Sequence, residues 1–123
     1  MIPERKTRKI HVRHLAIGGD APIAVQSMAA TRTRDVEATL RQVRILEAAG
    51  ADLIRIAVDS KEDVACLADI RKETDALLSV DLQESYKLAT LVAPHVDKIR
   101  YNPGHLHHHE KDRPIHEKVA FLA

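Results

Sequence analysis

The sequence "ADLIRIAV", residues 51–58, decides the fold that we predict for this chain. It is a short apolar run in which Ile54 and Ile56 lie on one side of a strand and Arg55 lies on the other, because side chains alternate along a strand. The run has a partial copy, "VDKIRY", at residues 96–101, which repeats Asp, Ile and Arg 45 positions later. The repeat indicates two equivalent strands of one sheet, with room for two further elements between them.

Short β-rich runs alternate with helical patterns along the rest of the chain, which is typical of βαβ units and a parallel sheet. The predicted strands cover residues 22–28 ("PIAVQSM"), 51–58, 76–82 and 96–102, and residues 9–22 are predicted to form a hairpin or a pair of extended segments. The predicted helices cover roughly residues 33–50, 60–75, 84–93 and 113–123. Thr33 is the predicted N-cap of the first helix, Asp59 or Ser60 that of the second, and Pro114 stands in the first turn of the last.

Each predicted strand has one apolar face and one face that becomes polar toward its C-terminal end. The polar faces carry Arg55, Ser79, Asp81, Arg100, Asn102, Gln83 and Gln26, and the apolar face of the first strand carries Ile23 and Val25. A doubly wound sheet would bury the charges between two layers of helices, where an unpaired charge is unfavourable. A (β/α)8 barrel packs only the apolar face under helices and opens the polar face into its mouth. The pattern therefore favours a barrel, although structural ion pairs between Asp81 and the arginines fit the spacing equally well.

We predict an α/β fold: a partial (β/α)8 TIM barrel of about four sequential parallel βα units, with helices on one face of the sheet and an N-terminal β-hairpin before it. Residues 1–21 form the extension and hairpin, and residues 22–123 form the first half of the barrel domain, which stops within its fourth helix. Half a barrel has two open strand edges. We therefore expect the chain to be the N-terminal part of a longer protein, or to close its barrel by oligomerisation.

Composition excludes several classes of function. The 123 residues suffice for one domain, and 19 basic against 18 acidic residues give no field that would favour nucleic acid or an anionic membrane. The single cysteine cannot form an internal disulfide or a site built from several thiolates. No run of about 18 apolar residues and no signal-peptide pattern is present. We expect a soluble cytoplasmic protein that binds neither nucleic acid nor membrane.

The motifs "DAPIAVQSM", "TRTRDVEATLRQ", "AGADLIRIAV", "VDL" and "RYNPG" occur in an order and spacing that resemble the N-terminal barrel of the 4-hydroxy-3-methylbut-2-enyl diphosphate synthase family. The resemblance covers nearly the whole chain, from about residue 8 onward. It implies the reductive conversion of 2-C-methyl-D-erythritol 2,4-cyclodiphosphate to (E)-4-hydroxy-3-methylbut-2-enyl diphosphate in isoprenoid biosynthesis. It also implies a 4Fe-4S cluster held by a separate C-terminal domain that this chain lacks, ferredoxin or flavodoxin as electron donor, and a homodimer of the full-length enzyme. The chain alone is expected to be inactive.

The resemblance also implies roles for individual residues. Arg55, Arg100 and Asn102 match barrel positions that hold the charged substrate, and Asp81 matches the acidic residue at the end of the third strand, which we predict to be catalytic. Planar guanidinium groups suit this task because they bind phosphate oxygens bidentately. Gln26 and Gln83, on the same polar face, complete the predicted substrate-binding set. Gln83 stands where the family usually has a histidine, and a glutamine cannot titrate.

The run "HLHHHE", residues 105–110, follows the last strand. Imidazole and carboxylate groups both bind zinc, but consecutive histidines in an extended loop point in alternate directions, so we predict a solvated loop and no metal site. Two other functions fit the residues. The chain could belong to another anion-binding barrel of the pterin-binding or aldolase type, or it could be a non-catalytic fragment.

Overall fold

The computed structural model describes residues 5–82, 86–102 and 113–123. The chain begins with an antiparallel hairpin of β1 (Ile10–Val12) and β2 (Leu15–Ile17). Four strands then form one parallel sheet in the order of the sequence: β3 (Gln26–Met28), β4 (Leu53–Ala57), β5 (Leu78–Asp81) and β6 (Lys98–Arg100). The predicted hairpin and the predicted sequential parallel strands are confirmed.

Helices alternate with the strands of the parallel sheet. In the described residues they are α1 (Val36–Ala48), α2 (Lys61–Glu73), the short α3 (Ala89–Val92) and, after the last strand, α4 (Ile115–Leu122). Single 3₁₀ turns, Tyr86–Leu88 and Ala93–His95, flank α3. Within the described ranges, none of these helices has the length and hydrophobicity needed to cross a membrane.

The main core lies between the helices and one face of the sheet. Its strand residues have the alternating spacing that the sequence predicted, and they pack against apolar side chains of all four helices. The buried strand residues are Ile54, Ile56, Leu78 and Val80, and the helices contribute Leu40, Val43, Leu67, Ile70, Ala89 and Val92, with Leu122 partly buried against them. The described helices that pack on the sheet therefore do so on the same face, as predicted.

The hairpin covers the base of the opposite face of the sheet, which we call the inner face. Val12 of β1 is buried against Leu53 and Leu77, near the N-terminal ends of β4 and β5. Arg13, between the two hairpin strands, fastens the hairpin by ion pairs to Asp75 (3.1 Å) and Asp97 (2.8 Å). The inner face is thus closed at its base, and its polar residues lie further along the strands.

The repeated aspartates of the two similar motifs have the same structural task. Asp52 accepts a hydrogen bond from the backbone N–H of Val25 through Oδ2 (2.8 Å), and Asp97 accepts one from the N–H of Leu78 in the same way (2.9 Å). The N–H of each aspartate donates to the carbonyl of that same residue, at 2.8 and 2.9 Å. The repeat therefore marks equivalent starts of β4 and β6, each tied to the preceding strand.

The first strand differs from its prediction. β3 has only three residues, and Ile23 and Val25, predicted for the apolar face, are 93% and 52% exposed. They precede the paired part of the strand, which begins at Gln26 opposite Leu53, and so they do not reach the core. Ala29, just beyond the strand, is buried there instead.

Two helix boundaries also differ from prediction. Asp35 caps α1 by accepting a hydrogen bond from the N–H of Ala38, whereas Thr33, the predicted cap, donates through Oγ1 to the carbonyl of Ala57 (2.6 Å). Of the third predicted helix, residues 84–93, the described part from residue 86 onward is one α-helical turn between two 3₁₀ turns, and Pro94 stands in the second of these. Proline lacks an N–H and so does not extend an α-helix.

Candidate functional site

The inner face presents two polar rows above the part that the hairpin covers. Residues paired across a parallel sheet point to the same side, so the register defines each row. The lower row is Met28, Arg55, Ser79 and Lys98, on β3 to β6. The upper row, nearer the C-terminal ends of the strands, is Ala57, Asp81 and Arg100. The sequence places charges here because each of these strands alternates apolar and polar residues.

Asp81 is the centre of the upper row. Its side chain is 7% exposed, and both carboxylate oxygens accept hydrogen bonds from Nη1 of Arg100, at 3.1 and 3.0 Å. Arg55 approaches the same carboxylate with Nε 4.0 Å from Oδ2. The ion pair between Asp81 and Arg100 explains how a buried carboxylate is tolerated, because a buried charge needs a partner. The structural ion pair between Asp81 and Arg100, which the spacing of the sequence also allowed, is therefore present in the fold.

The guanidinium donors of Arg55 have poorer hydrogen-bond acceptors than those of Arg100. Its Nη2 donates to the thioether Sδ of Met28 (3.3 Å), a weak acceptor, and its buried Nε has no hydrogen-bond partner among the described residues. A guanidinium group has five N–H donors, and a buried donor without an acceptor is unfavourable. Arg55 therefore has unused donors directed at the inner face, where an anion could accept from them.

Lys98 and Gln26 meet across the inner face. Nζ of Lys98, on the fourth strand of the sheet, donates to Oε1 of Gln26, on the first strand, at 3.3 Å. Beside Lys98 in the lower row lies Ser79, which is completely buried and whose Oγ has no hydrogen-bond partner in the described part of the chain. The lower row thus contains a second cation and an unpaired hydroxyl.

The loop between β3 and α1 borders the C-terminal ends of β3 and β4. It is connected to both neighbouring helices, since Thr31 Oγ1 bonds to Thr39 Oγ1 of α1 (2.8 Å) and Arg34 forms ion pairs with Glu62 (3.0 Å) and Asp63 (3.3 Å) of α2. A cavity of about 380 Å³ lies here, lined by Thr31, Arg32, Thr33, Arg34, Ala57, Asp59 and Asp63. The loop therefore lines one side of the opening of the inner face.

The structure brings together some of the predicted site residues. Arg55, Asp81 and Arg100 form one cluster, and Gln26 reaches the same face through Lys98. Asn102 follows β6 and is half buried. Gln83 and residues 105–110 lie outside the described residues. Among the residues that are described, no group of three or more His, Cys, Asp or Glu side chains is arranged to hold a metal ion.

Two residues of this face were missed by the sequence reasoning. Lys98 lies two positions before Arg100 in "KIRYN", and Ser79 lies two positions before Asp81 in "LSVD", so strand alternation alone places each on the polar face. Alternation had already placed Ser79 on the polar face, but it was not included among the predicted site residues. Lys98 had not been considered, and the same alternation applied one step further toward the N-terminus of its strand would have found it.

Comparison with known proteins gives a consistent result. A family model described as the GcpE TIM-barrel domain matches residues 7–121. A protein of Rhodopirellula baltica named 4-hydroxy-3-methylbut-2-en-1-yl diphosphate synthase (flavodoxin) is 54% identical over 121 residues, which cover 98% of this chain and 32% of that protein. Proteins with the same name from Nitratiruptor sp. and Helicobacter pylori are 46% and 42% identical, each over 89% of this chain and 31% of their own length. The chain spans about a third of the length of these relatives.

Proposed function

Since this chain belongs to the GcpE TIM-barrel family, we propose that its inner face binds a cyclic diphosphate as part of a 4-hydroxy-3-methylbut-2-enyl diphosphate synthase. The substrate would be 2-C-methyl-D-erythritol 2,4-cyclodiphosphate, converted to (E)-4-hydroxy-3-methylbut-2-enyl diphosphate in isoprenoid biosynthesis. The chain would supply the substrate-binding part of the barrel, residues 22–123, with residues 1–21 as its N-terminal extension. The family match argues against the other types of anion-binding barrel.

The unsatisfied guanidinium of Arg55 is the observation that carries this proposal. Arg100 already has a carboxylate partner, and Nε of Arg55 lies 4.0 Å from the same carboxylate, too far for a hydrogen bond, and has no hydrogen-bond partner within the described chain. Among the described residues, two arginines therefore share one carboxylate, which leaves positive charge uncompensated. A phosphate group would supply both the missing negative charge and the missing acceptors, and guanidinium groups suit its geometry.

The proposed mechanism assigns binding to the arginines and positioning to their partners. Arg55 and Arg100 would hold phosphate oxygens, and Asp81 would fix the orientation of Arg100. We propose Asp81 as the catalytic residue, because its negative charge would also act on the reacting part of the substrate. Asn102, Gln26 and Gln83 would complete the binding set with neutral hydrogen-bonding groups. Since Gln83 cannot titrate, a proton required at that position would have to come from another group.

An iron-sulfur cluster does not fit the residues of this chain. The sequence has one cysteine, Cys66 on α2, and a 4Fe-4S cluster is commonly held by four thiolates. We therefore propose that the cluster expected for the family is held by residues outside these 123, and that this chain alone has no reductase activity. Electrons would come from flavodoxin, as the names of the relatives suggest, or from ferredoxin.

We further propose that the four-stranded sheet is half of a (β/α)8 barrel. The contact between Lys98 and Gln26 supports this arrangement, because the outer strands of a flat four-stranded sheet lie roughly 14 Å apart and side chains stand nearly perpendicular to it. Side chains of such strands meet only if the sheet curls toward its inner face. The rest of the barrel would then cover the open edges of β3 and β6, in a full-length protein that acts as a cytoplasmic homodimer.

Calorimetric titration of the cyclodiphosphate into the full-length protein tests the proposed function. Arg55→Ala should weaken binding by about 10- to 100-fold, the usual contribution of a charge-assisted hydrogen bond. Arg41→Ala is the matched control, because Arg41 lies exposed on α1, where it is paired only loosely with Glu37 (3.9 Å). Equal affinities of Arg55→Ala and the unmodified protein would contradict the proposal, as would the absence of any binding to the unmodified protein.

A further inference from the structure

Two residues of the lower polar row, Ser79 and Lys98, have no task in the function proposed above. We propose that Lys98 is a further substrate-binding residue, and that Arg55, Ser79 and Lys98 together form a second phosphate position, one row deeper in the barrel than Arg100. This inference rests on the proposed diphosphate site and specifies how that site accommodates a ligand with two phosphate groups.

Lys98 carries a charge that its neighbours do not neutralise. Its ammonium group donates to the neutral amide of Gln26 at 3.3 Å, and within the described chain it forms no ion pair. This hydrogen bond to an uncharged amide holds the ammonium group in place but supplies no negative charge to balance it. Gln26 therefore acts as a positioning residue, which keeps Nζ of Lys98 above the inner face.

Ser79 provides an independent indication of a ligand at the same row. It lies between Arg55 and Lys98 in the register of the sheet, it is fully buried, and its Oγ has no hydrogen-bond partner among the described residues. A buried hydroxyl without a partner is unusual in native proteins and is commonly explained by a bound water or ion, or by a functional role. Nε of Arg55, which also lacks a hydrogen-bond partner among the described residues, is in the same row. A hydroxyl and two cations in one row suit the several oxygens of one phosphate group.

The charges of the two rows suit a ligand that carries two phosphate groups. The strand residues on the inner face include three cations, Arg55, Lys98 and Arg100, and one carboxylate, Asp81. The rows are two residues apart along each strand, about 6.6 Å, and the two phosphate groups of a diphosphate share a bridging oxygen and lie closer together than that. The long side chains of both rows would therefore converge on a diphosphate, whereas a single phosphate group needs only some of them. Lys98 would therefore favour diphosphates over monophosphates.

The test compares the affinities of the full-length protein for the cyclodiphosphate, inorganic diphosphate and inorganic phosphate, each measured by calorimetric titration. Lys98→Met should weaken binding of both diphosphates roughly tenfold and change phosphate binding by less than about threefold, because phosphate still has Arg100 and Arg55. Lys98→Arg should restore most of the diphosphate affinity. Lys72→Met, on the exposed side of α2, removes the same charge far from the site and should change nothing.

Ser79→Ala is a second variant that separates binding from folding. It removes only the unpaired hydroxyl, so the thermal midpoint of the ligand-free protein should stay the same or rise, whereas diphosphate affinity should fall about threefold. Unchanged diphosphate affinity in Lys98→Met, or an equal loss for phosphate and diphosphate, would overturn the second phosphate position. If Arg55→Ala nevertheless loses binding, the proposed function stands without it; if the unmodified protein binds no cyclodiphosphate, both fail.

Discussion

Replacing Asp81 with Asn should have opposite effects on stability and on anion binding. The substitution removes the charge that pairs with Arg100 but retains one oxygen acceptor in nearly the same shape. Asp81 is almost buried, whereas the Arg100 side chain is 36% exposed, so the pair lies between surface pairs and fully buried ones. Exposed pairs contribute about 0–1 kcal/mol and breaking a buried pair is unfavourable by about 3–5 kcal/mol, so we expect a loss of roughly 2 kcal/mol.

Anion binding should become tighter in the same variant. Without the carboxylate, the three cations of the inner face have no negative partner on the strands, and their attraction for a phosphate group increases. At an effective dielectric constant of about 20, one unit charge about 8 Å from the ligand changes its energy by about 2 kcal/mol, which solvent screening reduces. We expect inorganic diphosphate to bind about fivefold more tightly, and turnover by the full-length enzyme to be lost if Asp81 is catalytic.

Differential scanning calorimetry of the full-length protein and calorimetric titration with inorganic diphosphate measure the two effects. Asp69→Asn is the control, because Asp69 makes an exposed pair with Lys72 (3.7 Å) within α2, and neither stability nor affinity should change appreciably. Weaker diphosphate binding in Asp81→Asn would refute the electrostatic reasoning. It would show that Asp81 contacts the ligand through a group that asparagine cannot replace.

Two further predictions concern other parts of the chain. Replacing His107, His108 and His109 together with Ser should leave affinity for the cyclodiphosphate within about twofold of the unmodified protein, because the sequence predicts no metal site in this run. Loss of turnover by the full-length enzyme in this variant would contradict that prediction. The hydrogen bond from the Lys9 side chain, with smaller contributions from a backbone hydrogen bond and from the charge of Lys9, lowers the pKa of Asp20 below its ordinary value of 3.8. The contact therefore stabilises the folded chain above pH 3.8, and this stabilisation is lost as the pH falls through the lowered pKa. Titration of the Asp20 carboxyl group by NMR measures the pKa. An ordinary pKa, or the same pKa in Lys9→Met, would contradict this prediction.

The sequence predicted most reliably the two strands of the sheet that have another strand on each side. β4 and β5 are central strands, and their alternation of Ile54, Ile56 and Val80 with polar residues matches the buried and inner faces of the structure. The prediction was wrong for Ile23 and Val25, which precede the edge strand β3. An apolar residue next to an edge strand is buried only if an element packs over it, and local sequence does not contain that information.

The cap of α1 illustrates the same limit at the level of one hydrogen bond. Thr33 and Asp35 are both acceptable N-cap residues by type. Asp35 is the cap because the Thr33 hydroxyl is used by a carbonyl of β4, 24 positions away in the sequence. Competition between a local and a distant partner was decided by the packing of the β3–α1 loop on the sheet.

The sequence by itself determined which residues lie on the polar face, because strand alternation is a local property of the backbone: it placed Arg55, Asp81 and Arg100 together, and the motif order indicated the family. Only the tertiary structure decided how these charges pair. It joined Asp81 to Arg100 and left Arg55 with a thioether, and it brought Lys98 to Gln26 across four strands. These distances depend on register and on the curvature of the sheet, which arise from contacts between residues far apart in the chain.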